Sequence, residues 1–238
     1  MSEVNSLEKE QAYKNMYVYL HAQGDTVFYG YQTILLANQI NLFFKYYNIK
    51  TVLDYGCGKA NHYFVNKLHK TLNLEKVFLY DIGVIEYSIK PPRDELFDCV
   101  LCIDVMEHLE EFMVDDVIKD LIDYSDKLVI ISIALREARK ILPDGRNAHL
   151  CIKPREWWIE KIRNILFESK NNPRIFILFE DEIYETKEDN NENKENSSGT
   201  VIKRKLTYNF INFNEKESHI FSKKLDEMNH KILENLQT

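Results

Sequence analysis

Two stretches of the chain concentrate side chains able to do chemistry. In Asp104-Val-Met-Glu107-His108, two carboxylates and an imidazole recur at spacings of three and four, which one helical turn would gather on a single face. Such a trio can ligate a divalent cation, or can supply a base with carboxylates that orient it. A further imidazole closes the loop Leu142-Pro-Asp-Gly-Arg-Asn-Ala-His149. The expected metal set is therefore Asp104, Glu107, His108 and His149. The expected catalytic set is His108 or His149 as base, with Asp104 beside them and Arg146 and Asn147 orienting the substrate. The second stretch is Asp54-Tyr-Gly56-Cys-Gly58-Lys-Ala60, a carboxylate followed at once by a glycine turn, with Asp81 standing 27 residues after Asp54.

These residues need elements to hold them, and the hydrophobic pattern supplies an alternation of strand and helix. Lys50 to Asp54, Lys76 to Tyr80, Phe97 to Ile103 and Lys127 to Ala134 are short, almost wholly apolar runs, the mark of strands buried on both faces of a parallel sheet. The first three end in Asp54, Asp81 and Asp104. Helices are predicted over Thr33 to Tyr47, from Gly58 to Leu72, over Val114 to Tyr124 and from Pro154 onward, and this alternation predicts a doubly wound α/β sheet, mostly parallel. Arg174 to Phe179 and Thr200 to Phe213 read as a C-terminal antiparallel hairpin around a polar stretch, 185–199, expected to be a mobile loop. An amphipathic helix closes the chain. Residues 1–48 are expected to form a helical cap, with Tyr13, Met16, Tyr17 and Leu20 on one helix face, and residues 49–238 a ligand-binding domain.

In open α/β sheets ligands bind beyond the carboxyl ends of the strands, where all three aspartates fall. A dinucleotide-binding turn would read GxGxxG, yet Asn61 stands where the third glycine would be. A carboxylate two residues ahead of the turn would repel a pyrophosphate and suit a ligand with a positive end. VLDYGCGKA, the Tyr-Asp at the second strand end and FDCVLCIDVMEHLEE together resemble the first, second and fourth motifs of class I S-adenosylmethionine-dependent methyltransferases, over roughly residues 50–135. The resemblance implies a Rossmann-like methyltransferase fold with S-adenosylmethionine as cofactor. It assigns Asp54, Gly56 and Gly58 to the methionine end, Asp81 to the ribose hydroxyls, Ile82 to the adenine and Asp104 to the transferable methyl group. Tyr29 and Gln32 are expected to help cover the cofactor. The chain departs from the family in carrying Ala60 for the usual third glycine and in leaving only 16 residues between Asp81 and Asp98, too few for the customary helix and strand.

The Glu107–His108 pair with a later histidine is also similar to small-RNA 3′-terminal 2′-O-methyltransferases, which hold magnesium there, although Asp104 and Leu109 differ from that pattern. Ubiquinone-pathway O-methyltransferases share the Glu-His pair. A net charge of −7 argues against broad contact with a nucleic-acid backbone, leaving a local basic groove as the route by which nucleic acid could bind. No apolar run approaches the length of a membrane span, and the polar N-terminus lacks a secretory pattern, so the expected location is the cytoplasm. Cys99 and Cys102 have CxxC spacing, but three residues along a strand put them on opposite faces, which suits core packing rather than metal. The leading expectation is O-methylation of a small-molecule or glycan-type hydroxyl with a histidine base. The alternatives are metal-assisted RNA 2′-O-methylation and a methyltransferase-like binding module without turnover.

Overall fold

A computed structural model describes residues 3–24, 28–186 and 200–235 of the protein. The helices and strands are α1 (Glu3–His21), α2 (Tyr31–Leu35), α3 (Ala37–Tyr47), β1 (Thr51–Tyr55), α4 (Asn61–Phe64), α5 (Leu68–Thr71), β2 (Lys76–Tyr80), β3 (Phe97–Ile103), α6 (Val114–Asp123), β4 (Ser125–Ala134), α7 (Arg155–Glu168), β5 (Arg174–Thr186), β6 (Thr200–Ile211) and α8 (Glu215–Asn235). The six strands form one sheet in the order β2-β1-β3-β4-β5-β6. All neighbours are parallel except β5 and β6, which pair antiparallel from Ile175↔Ile211 to Thr186↔Thr200. This is a mixed α/β, Rossmann-like sheet with the expected C-terminal hairpin. The expected loop at 185–199 falls largely outside the described residues, and its first two positions extend β5.

The apolar runs become strands because both sheet faces are covered. Leu53, Tyr55, Val100, Cys102 and Ile131 pack into one layer with α1, α6 and α7. Val52, Cys99, Leu101, Leu128 and Ile130 pack into the other with α3 and α8. Cys99 and Cys102 thus face opposite layers, as the strand period requires. In α6 the residues Val114, Val117, Ile118, Leu121 and Ile122 are all buried, a spacing that fills one helix face. Each such burial contributes roughly 1.5–3 kcal/mol of transfer free energy.

Two predicted helices come out divided. The 33–47 run breaks at Leu36 into α2 and α3. The stretch after Gly58 yields only α4 and α5, separated at Lys67, whose φ of 54° is left-handed. His62-Tyr-Phe-Val65 is a run of weak helix formers, and Tyr63 is buried by packing rather than by helical propensity.

The crossing from β2 to β3 contains no α-helix, only a 3-10 turn at Ile85–Tyr87. It is fastened instead by charge. Lys90 and Arg93 both pair with the buried Asp120 of α6, Tyr55 Oη donates to the same carboxylate at 2.9 Å, and Tyr124 Oη donates to Pro91 O at 2.9 Å. On that face α1 supplies Tyr13, Tyr17 and Leu20 to the layer that Tyr55 and Tyr80 enter. The chain runs from β1 outward to β2, then returns past β1 to β3. The topological switch therefore lies between β1 and β3, where a crevice opens at the carboxyl edge. No helix among the described residues is long and apolar enough to cross a membrane.

Candidate functional site at the carboxyl edge of the sheet

The glycine turn ties the first two strand tips together. Gly56 N–H and Cys57 N–H both donate to Tyr80 O, at 2.7 and 3.1 Å. Gly58 N–H donates to Asp81 Oδ2 at 2.8 Å, and Gly83 N–H to Asp81 Oδ1 at 2.8 Å. These donors hold Asp81 in one orientation at the tip of β2. Gly56 and Gly58 have φ of 87° and 56°, a region costly for side-chain-bearing residues. A Cβ at Gly56 would lie 2.3 Å from Val105 Cγ2, and one at Gly58 2.3 Å from Phe28 O. The close approach that these glycines allow is thus of Val105 and Phe28, which wall the crevice.

The crevice opens into a cavity of about 910 Å³, a size typical of small-molecule sites. The turn glycines, Asp81 with Ile82, Asp104, and Tyr29 and Gln32 ahead of β1 all line it. Asp54 does not, which corrects the expectation that it meets the ligand. Successive strand residues alternate, so with Leu53 and Tyr55 on the α1/α6 face, Asp54 points to the other side. There it is 2 % exposed and bonds His62 Nε2 at 2.8 Å. Because the amides of Gly56, Cys57 and Gly58 are engaged by protein oxygens, the turn offers no free N–H cradle for a pyrophosphate. The carboxylates of Asp81 and Asp104 in the lining suit a ligand with a positive end.

After the tip of β3 the expected helical face is absent. Asp104 adopts φ 55° and a 3-10 turn covers only Met106–His108. Ser132 Oγ accepts the Asp104 N–H at 3.0 Å and donates to Asp104 Oδ1 at 2.8 Å, holding that carboxylate against β4. Glu107 turns inward and is fully buried. Its Oε1 accepts from Ala134 N–H at 2.9 Å, while its Oε2 is buried with no hydrogen-bond partner. Across the loop from β4, His149 meets His108 with ring centroids 4.8 Å apart at 87°. Ligand atoms of Glu107, His108 and His149 all lie within 4.8 Å of one another, and Asp104 is not in this group. The left-handed turn at Asp104 is the reason, since it directs that side chain to Ser132.

His108 Nδ1 lies 2.8 Å from Ala148 O and His149 Nδ1 2.5 Å from Arg136 O. A carbonyl oxygen only accepts, so each Nδ1 carries the proton and each Nε2 keeps a free lone pair. Burial, then neighbouring His149, pushes the His108 pKa down to about 3. Burial likewise lowers His149, whereas burial and nearby Asp104 raise Glu107 well above the usual carboxylate range. Two backbone-anchored imidazoles with bare Nε2 atoms beside an unpartnered carboxylate oxygen form a donor set suited to a divalent cation.

Two other expected residues serve the scaffold. Asn147 Oδ1 accepts from Ala138 N–H and His149 N–H, and Nδ2 donates to Ala138 O, each at 2.9 Å, clipping the loop that delivers His149. Arg146, expected to orient the substrate, lies off the cavity. It pairs with Glu110 at 2.6 Å and Asp144 at 2.8 Å, and borders a separate outer groove against α1. Two carboxylates on its own rim hold it there. Tyr17, expected on an apolar helix face, lines the cavity, as do Phe28 and His21, which carried no local signal, because their placement depends on how α1 folds back over the sheet. His62 had no local signal either. Its partner Asp54 is eight residues away on another element.

By architecture the chain is thus a Rossmann-like α/β protein whose cavity lies at the switch point of a mostly parallel sheet. Comparison with protein-family models and with curated protein sequences finds no match.

Proposed function

We propose that this protein is an S-adenosylmethionine-dependent methyltransferase that modifies a hydroxyl group. The observation carrying the reading is one cavity that joins Asp81, anchored by the glycine turn, to His108, which stands beside Glu107 and His149. When bound, the cofactor supplies an electrophilic methyl group on a positively charged sulfur. Asp81 would accept hydrogen bonds from the ribose, with Ile82 beside the adenine. Asp104, fixed by Ser132, would lie near the positive sulfur, and Tyr29 and Gln32 would cover the ligand.

A hydroxyl acceptor must lose its proton, and much of the rate of such a transfer comes from positioning. The two bare Nε2 atoms and the unpartnered Glu107 Oε2 favour a divalent cation as the means, held by Glu107, His108 and His149. A bound cation would lower the acceptor pKa. The acceptor is a small-molecule or glycan-type hydroxyl, given a net charge of −7. The same three-residue cluster favours a second reading, methylation of an RNA ribose hydroxyl.

Incubation with methyl-labelled S-adenosylmethionine and separate pools of hydroxylated metabolites, glycans and RNA, with magnesium or manganese and with chelator, tests both readings. The expected result is label on one hydroxylated pool that disappears with chelator. Label on no pool despite cofactor binding would refute turnover.

A further inference from the structure

We propose that His21, at the end of α1, is a ligand-binding residue that grips the ribose diol of the nucleoside together with Asp81. The proposal rests on the methyltransferase reading and extends its cofactor site onto the N-terminal helix. His21 is buried at 8 % exposure and lines the cavity. Its Nε2 stands 3.4 Å from Asp81 Oδ1, longer than the 2.7–2.9 Å of a good charge-assisted bond. Its Nδ1 is buried with no hydrogen-bond partner. An imidazole has two nitrogens to satisfy, and here one has a long contact and the other none.

The ring itself is well held. It lies 4.8 Å from Phe28, and a Cβ on Gly83 would come within 2.6 Å of its Cδ2. His21 is thus fixed beside Asp81 by packing, with its polar needs incompletely met. Asp81 has Gly58 N–H on one oxygen and Gly83 N–H on the other, so it is pre-oriented to accept more.

The chemistry of the missing partner is narrow. A phosphate would meet the Asp81 carboxylate and be repelled. An ammonium group only donates, so it would satisfy Asp81 but could not accept from the His21 Nε2–H, whose contact with Asp81 is long. A hydroxyl both donates and accepts, and two adjacent hydroxyls can bridge a carboxylate and an imidazole at once. The ribose of a nucleoside carries such a pair.

The test is calorimetric titration of the full chain with S-adenosylhomocysteine, adenosine and 2′,3′-dideoxyadenosine, for wild type, His21→Ala and His21→Gln, with circular dichroism confirming the fold. His21→Ala is expected to weaken S-adenosylhomocysteine and adenosine about tenfold, the effect of one lost hydrogen bond at a buried site. It should leave dideoxyadenosine unchanged, since that ligand lacks the hydroxyls. Should His21→Ala not fold, His21→Gln carries the same comparison with a smaller loss. Hydrogen exchange adds an independent readout, because residues 13–21 should gain protection when adenosine binds wild type. Equal affinity of wild type and variant for S-adenosylhomocysteine, an equal loss for the dideoxy ligand, or no gain of protection would each overturn the role of His21 alone. Failure of wild type to bind any adenosyl ligand would overturn the cofactor reading with it.

Discussion

The fastening of the β2–β3 crossing to α6 can be weighed residue by residue through Asp120. Its carboxylate is 3 % exposed and receives Tyr55 Oη at 2.9 Å as well as Lys90 and Arg93. The Lys90 and Arg93 side chains are 36 % and 66 % exposed, so solvent screens both pairs and each contributes about 0.5–1 kcal/mol. Tyr55 is buried, and stranding its hydroxyl costs about 1–3 kcal/mol. Asp120→Leu removes all three interactions and should therefore cost roughly 2–5 kcal/mol, less a small gain from burying an apolar side chain. For a chain of this size, each kcal/mol moves Tm by about 2–4 °C, so the expected fall is roughly 4–20 °C. Asp120→Asn, which still accepts from Tyr55, should lose about half as much. Urea unfolding of the three proteins measures the costs directly, and calorimetry with S-adenosylhomocysteine should register weaker binding by Asp120→Leu, because Lys90, Arg93 and Tyr55 line the same cavity. An Asp120→Leu stability within about 0.5 kcal/mol of wild type would refute the idea that this carboxylate holds the crossing.

Other perturbations address the cluster of Glu107, His108 and His149 and the base of the sheet. A divalent cation at a hundredfold excess over its Kd should stabilise wild type by about 2.7 kcal/mol, read as a rise in Tm that Glu107→Gln abolishes; equal shifts in both proteins would remove Glu107 from the cation site. His149→Ala should reduce methyl transfer by about 10²-fold or more while leaving S-adenosylhomocysteine affinity unchanged, and unaltered turnover would exclude His149 from catalysis. Burial tends to raise the Asp98 pKa, but Lys127 and the amides of Lys50 and Thr51 outweigh it and hold the group below the ordinary aspartate range. Since the folded pKa lies below the unfolded value of about 3.9, the stabilisation is present above that pH and is lost as pH falls through the folded pKa. The stability gap between wild type and Asp98→Asn, measured in urea, should thus be constant near neutrality and shrink below about pH 4; a gap independent of pH would contradict this assignment.

Strands and their tips were readable because a strand buried on both faces must be almost continuously apolar, so Asp81 and Asp104 stood out where such runs ended. Leu53-Asp54-Tyr55 was readable as a strand end, but which face carried the cavity depended on α1 folding over Tyr55, and so the sealing of Asp54 against His62 was not. His108 and His149 were expected to meet across the sheet edge, and they do. Asp104 was expected to join them, but a left-handed φ at that position has no signature in an aspartate flanked by Ile103 and Val105. Phe28 and His21 reach the cavity through tertiary packing that no local spacing encodes.

The most direct measurement is a calorimetric titration of wild type and Asp81→Asn with S-adenosylhomocysteine and, separately, with NAD. Saturable one-site binding of the sulfur nucleoside by wild type, weakened by the substitution and with no heat from NAD, is the predicted result. Binding of NAD in its place, or identical titrations for both proteins, would contradict a cofactor site built on the anchored carboxylate of β2.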